Sequence, residues 1–136
     1  MASAPVTIAV EALLAANWTT TPILGTNTAG QPPADGGPFV AVQYPVAREN
    51  QHSFGAPGSN AYKETGAFRI VLNIPRGEGL PQALAWADTL RAVFRGVDTA
   101  GVSMFAPSPP VTNDANDLGS YYQISFAVPY WYWLFG

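Results

Sequence analysis

Gly66-Ala67-Phe68-Arg69-Ile70-Val71-Leu72-Asn73-Ile74-Pro75 reads as a β-strand with one strongly apolar face. Phe68, Ile70, Leu72 and Ile74 recur at every second position, with Arg69, Val71 and Asn73 between them. A period of two sends the two sets to opposite sides of a pleated strand, so the first set predicts a sheet face covered by helices.

Moving outward, Gly79-Leu80-Pro81 opens a helix, because a proline in the first turn loses no hydrogen bond. Leu80, Leu84, Ala87, Leu90 or Arg91, and Phe94 form its expected inward stripe, widened by Trp86 and Val93. Asp88 and Arg91 sit at the i,i+3 spacing of a surface ion pair, and Gly96 suits the residue just past the helix end. Upstream, Pro38 to Pro45 predicts a strand with Val40, Val42 and Tyr44 on one face, bracketed by prolines that cannot donate to a ladder. Residues 47 to 65 between these strands predict a long polar loop carrying Arg48, Glu49, His52, Lys63 and Glu64.

Near the start, Val6, Val10, Leu13 and Leu14, with Ala9, share a helical face over about Pro5–Asn17, with Ser3 or Thr7 as the cap and Trp18 packing at the end. Residues 19 to 37 have loop chemistry, within which Pro22-Ile23-Leu24 can touch a strand or the core. Val102, Met104 and Ala106 alternate as a third strand. Tyr122, Ile124, Phe126 and Val128 alternate as the last, followed by Pro129-Tyr130-Trp131-Tyr132-Trp133-Leu134-Phe135. The expected fold class is α+β: a mixed or antiparallel β-sheet of about four strands with two helices packed on one face, in a single domain over residues 1–136.

Composition narrows the function. Lys+Arg is 6 and Asp+Glu is 9, so charged residues are only 11% while hydrophobic residues reach 48%; an average soluble domain carries roughly 25% charged residues. Either much of the surface is covered by copies or partners, or it is polar without charge. A net charge of −3 with Lys63 as the sole lysine argues against tight phosphate binding. The absence of cysteine excludes disulfides and thiolate metal sites. The first residues lack the basic segment of a secretory signal, and the apolar runs fall far short of the ~20 residues that span a bilayer. The expectation is therefore a soluble, non-exported chain without membrane contact.

Little in the residue pattern points to bond chemistry. His52 is the sole histidine and stands in the polar stretch, with no nucleophile elbow elsewhere. Asn113-Asp114-Ala115-Asn116-Asp117-Leu118-Gly119 has calcium-loop flavour but lacks the distal glutamate, and reads better as a turn. Arg76-Gly77-Glu78-Gly79 precedes a helix but has no phosphate-loop lysine. Nothing places Glu49 with Glu64, or Asp114 with Asp117, at a catalytic spacing. No catalytic residue, metal site or cofactor is expected, and the chain reads as a non-enzyme.

The arrangement as a whole resembles the tail terminator proteins of long-tailed bacteriophages and related gene transfer agents. The resemblance is carried by Asn17-Trp18-Thr19-Thr20-Thr21-Pro22-Ile23 after the first helix, by Pro38-Phe39-Val40-Ala41-Val42, and by the 66–75 strand with Arg69. It is carried also by the helix from Ala83 to Phe94 and by the final strand from Gly119 to Tyr130, so it covers about Pro5 to Tyr130. It implies an α/β sandwich whose copies form a hexameric ring on the head-proximal end of the tail tube. It also implies a homo-oligomer that contacts the tail tube protein and the head–neck connector, stops tube growth, and lets DNA pass without specific binding. The location implied is the virion tail, after assembly in the host cytoplasm. Arg48, Glu49, His52, Lys63 and Glu64 are then candidates for a partner or lumen loop. Tyr130, Trp131, Trp133 and Phe135 are candidates for a subunit or tube interface, the alternative being that this aromatic end folds back on its own core. A head–tail connector, a tail tube subunit, and a small ligand- or peptide-binding module are the competing readings.

Overall fold

The computed structural model describes residues 2–24, 37–75, 81–112 and 121–136. The Asn113–Gly119 turn and the Arg76–Gly79 segment discussed above lie outside the described residues.

The segment 66–75 is half of a longer strand. β3 runs Ala61–Pro75 and is flanked on both sides by antiparallel neighbours, β2 (Phe39–Gln51) and β7 (Tyr121–Phe135). The β3–β7 ladder is unbroken from Ala61↔Phe135 to Pro75↔Tyr121. Four short strands complete the sheet: β1 (Ile23–Leu24), β4 (Asp98–Thr99), β5 (Val102–Met104) and β6 (Val111–Thr112). The order is β1-β2-β3-β7-β5-β4, with β6 also pairing β7. β1 is parallel to β2 and the other pairings are antiparallel, so the sheet is mixed.

Among the described residues the sheet therefore has seven strands rather than about four. β1, β4 and β6 are two-residue pairings. Such bridges are created by a partner strand and have no periodicity of their own to read.

Both helices lie on one face. α1 (Ala4–Asn17) buries Val6, Ala9, Val10 and Leu14, and α2 (Pro81–Phe94) buries Ala83, Ala87, Leu90 and Phe94. They cover Val40, Val42, Phe68, Ile70, Leu72, Ile74, Ile124, Phe126 and Val128, which the ladder registers place on a common face. Phe68 meets Phe94 edge-on at 5.1 Å between ring centroids. Trp18 packs beneath α1, edge-on to Trp86 at 6.2 Å, with its indole N–H donating to Thr21 Oγ1. These two aromatic contacts set the rotation of α2. Leu84, expected inward, is turned outward, and the small Ala83 takes the buried position. Asp88 and Arg91 form the expected ion pair at 3.1 Å, and Gly96 adopts φ +66° just past the helix. Ser3 occupies the N-cap position of α1, where its carbonyl rather than its side chain engages the first turn.

Prolines shape the strands without stopping them. Pro45 does not end β2 but sits in a register shift between Gln43 and Val46, the kind of position where a missing N–H costs no ladder bond. Pro129 lies inside β7, and opposite it the neighbouring chain leaves the ladder between β5 and β6. Ser108 repairs the gap: its N–H donates to Ala127 O, and its hydroxyl accepts from Ala127 N–H at 2.9 Å.

Residues 47 to 65 are consequently no long loop. They form the end of β2, a short connection over 52–60, and the start of β3. A glycine makes this doubled strand possible. A Cβ on Gly66 would collide with the carbonyl oxygen of Val46 and stand 3.0 Å from the Tyr130 hydroxyl. Gly66→Ala should destabilise the protein by about 1–3 kcal/mol, the usual cost of overpacking a closed site, read as a lower urea midpoint with an unchanged slope.

Candidate functional site

Beyond the helix-covered core, β2, β3 and β7 continue together as an arm made of 46–51, 61–67 and 130–135, with β5 alongside β7 at its base from Tyr130 to Tyr132. Its far end is tied down. The Asn60 N–H donates to Gly136 O and the Gly136 N–H to Asn60 O, at 2.8 and 2.9 Å. Asn60 Oδ1 also accepts from Ala56 N–H, and Ser53 Oγ from Ala61 N–H. The aromatic end of the chain is thus a paired strand, not a tail folded over the core.

Alternation divides the arm into two faces. On the helix side lie Tyr62, Glu64, Tyr130, Tyr132 and Leu134, with Glu49 opposite Glu64. Tyr130 is wholly buried and belongs to the core, unlike the other aromatics expected at an interface. Its hydroxyl donates to Glu64 Oε2 at 2.7 Å, and the Ser3 N–H donates to the same oxygen at 3.2 Å. Glu64 is only 5% exposed, and two donors on one oxygen offset the cost of burying a carboxylate. Burial, followed by the hydrogen bond and charge of Glu64, pushes the Tyr130 hydroxyl well above the usual phenol range, so Tyr130 stays protonated and remains the donor. Tyr44, also in the core, is raised by burial and then by Glu11. A shallow hollow of about 270 Å³ opens beside Glu64, lined by Ala2, Ser3, Ala47, Arg48 and Glu49.

The other face carries Val46, Arg48, Asn50, Lys63, Thr65, Trp131, Trp133 and Phe135. Here Lys63 Nζ lies 3.2 Å from the Trp131 ring centroid and 5.5 Å from that of Trp133. His52 packs edge-on to Trp133 at 5.2 Å, and Phe105, from the end of β5, packs edge-on to Trp131 at 4.7 Å. A cation over an indole face is worth about 0.5–1 kcal/mol at an exposed site, enough to hold Lys63 along the rings. The strip remains open: Trp131 is 42% exposed, Trp133 41% and Phe135 73%. Val46, exposed on the same face, adds to it. A cluster of this kind exceeds the scattered single apolar residues of an ordinary surface.

Toward the core, the same outer face becomes polar. Gln43, Arg69, Val71, Gln123 and Ser125 line a hollow of about 190 Å³. Arg69 donates to Gln43 Oε1 at 3.3 Å and Gln123 to Asn73 Oδ1 at 2.9 Å.

The two groups of residues singled out in the sequence are therefore interleaved. Lys63 and His52 join Trp131 and Trp133 on one face, Arg48 stands on that face too, and Glu49 and Glu64 go to the other. Phe105 and Val46 join that face although neither is singled out in the sequence. For Phe105 a signal existed, since it is the apolar residue out of phase with Val102 and Met104. Among the described residues there is no cluster of three or more His, Asp or Glu able to hold a metal ion. Among them also, no helix is long and apolar enough to cross a membrane.

The model of the phage tail terminator protein family matches residues 5–130. The chain belongs to that family. The match spans both helices and nearly all of the sheet, ending at Tyr130, one residue before Trp131. The family is structural rather than enzymatic, which gives this terminator-family chain a structural role in the phage tail. One solved structure superposes with a TM-score of 0.59 at 22% sequence identity, over 96% of this chain and 94% of that one. At that identity the likeness shows a shared fold alone. No curated protein matches the chain.

Tyr130→Phe removes one of the two donors to the buried Glu64 oxygen and should cost about 1–3 kcal/mol. Thermal unfolding should report the loss, while far-ultraviolet circular dichroism stays that of the parent chain.

Proposed function

We propose that this chain is the subunit of a ring, hexameric as the family resemblance implies, that caps the head-proximal end of the tail tube. In this role it ends polymerisation of the tube protein and presents a surface to the head–neck connector. The observation that carries the reading is the exposed aromatic strip of Trp131, Trp133 and Phe135 on a rigid arm, in a chain with few charges. Aromatic side chains dominate the energetics of protein contacts, and a strip this open calls for a protein partner. The arm is held along the β3–β7 ladder, by β5 at its base and by hydrogen bonds at its end, so the strip is presented without a folding cost on binding.

Passage of DNA through the ring fits the charge distribution. A net charge of −3 and a polar outer sheet face, with Arg69 engaged by Gln43, provide little to grip phosphates. No bond chemistry is required of any residue. Arg48 and Lys63 on the outer face, with His52 at the arm's end, serve contact and orientation.

Electron microscopy of tails from a particle-producing strain lacking this gene tests the reading. Overlong tubes without heads are expected. Tails of normal length that fail to join heads would reassign the chain to a connector, and normal infectious particles would overturn a role in the tail.

A further inference from the structure

A second uncovered apolar face lies on the opposite side of the sheet. α1 buries Val6, Ala9, Val10 and Leu14, but its solvent side is apolar as well: Ala4, Pro5, Ile8, Ala12, Ala15 and Ala16 are all exposed. Ile8 is 67% exposed. A helix that is apolar all round belongs in an interior, and a single copy of this chain covers only half of α1. The two uncovered faces are unlike in shape. One is a shallow helical surface of small side chains around Ile8, and the other is a row of projecting indole and phenyl rings. They are also unlike in charge. Glu11 stands at the margin of the α1 face and Lys63 lies in the aromatic strip, and among the described residues neither forms a salt bridge.

We propose that the aromatic strip of one copy, Trp131, Trp133 and Phe135 with Lys63, seats on the exposed face of α1 of the next copy, around Ile8 and Glu11. The proposal rests on the ring reading and names the two faces that meet. The faces lie on opposite sides of the sheet, so a contact between them is heterologous, one patch against a different patch, which is the arrangement that closes into a ring. Small residues on α1 let the rings lie close to the helix, and the Glu11–Lys63 pairing fixes register more than it adds affinity. The contact removes from water both apolar faces that the isolated chain leaves open.

The chain has no cysteine, so introduced thiols report cleanly. Ala12→Cys places one on the α1 face. Asn50→Cys places one beside Lys63, its cross-strand neighbour, without altering a ring of the strip. Both positions are exposed, and oligomer formation by each variant is checked first by sedimentation, with and without tail tubes. A mixture of the two variants treated with a short bis-maleimide should give a crosslinked dimer, and either variant alone should give none. Lys63→Glu should weaken assembly roughly tenfold, and Glu11→Lys in the same chain should restore it. Rings that form without a mixed crosslink, or that crosslink as well within one variant, overturn the pairing and leave the ring standing. Trp131→Ala with Trp133→Ala that abolishes tube binding but spares ring assembly assigns the strip to the tube protein and overturns the pairing. A chain that forms no oligomer, free or on tubes, overturns the ring itself.

Discussion

The hydrogen-bonded ladder between β3 and β7 supports everything else in this molecule. It runs unbroken over fifteen residues of each strand. At one end its even-numbered side chains, Phe68, Ile70, Leu72 and Ile74 with Ile124, Phe126 and Val128, form the floor on which both helices rest. At the other end the same ladder carries the aromatic strip beyond the reach of the helices. Core and arm are thus one rigid element. The apolar burial that stabilises the first also fixes the position of the second.

The junction between them is polar and closely specified. Gly66 lets β2 approach where a side chain would not fit, and Tyr130 and the Ser3 N–H both donate to the buried Glu64 carboxylate. This single carboxylate ties the entry of α1 to the base of the arm. A buried charge satisfied by two donors strongly penalises alternatives in which either donor is absent, so it sets the angle at which the arm leaves the core. The low charge content of the chain fits the proposed ring. In that ring, a surface covered by neighbours has little use for charges that must be desolvated there, and Arg48, Glu49 and Lys63 take the places where charge orients contact.

The sequence by itself determined the class of the fold and most of its core. Strict alternation from Phe68 to Ile74 and from Tyr122 to Val128, and the helical spacing of Val6, Val10 and Leu14, are direct consequences of which side chains must leave water, so they are written in the order of residues. The segments that carry the resemblance lie wholly within the family match over 5–130. Tertiary structure alone decided the rest. Residues 47–65 alternate poorly because neither face of the arm is wholly buried, and their strand character comes from β3 pairing with β2 and β7, partners distant in sequence. β1, β4 and β6 exist only as bridges to neighbours. The inward turn of Tyr130 and the outward turn of Trp131 and Trp133, within one aromatic run, depend on strand phase carried through Pro129 from the core. Composition recorded that aromatics gather at the end of the chain; only pairing with β3 decided which of them the core keeps and which the surface presents.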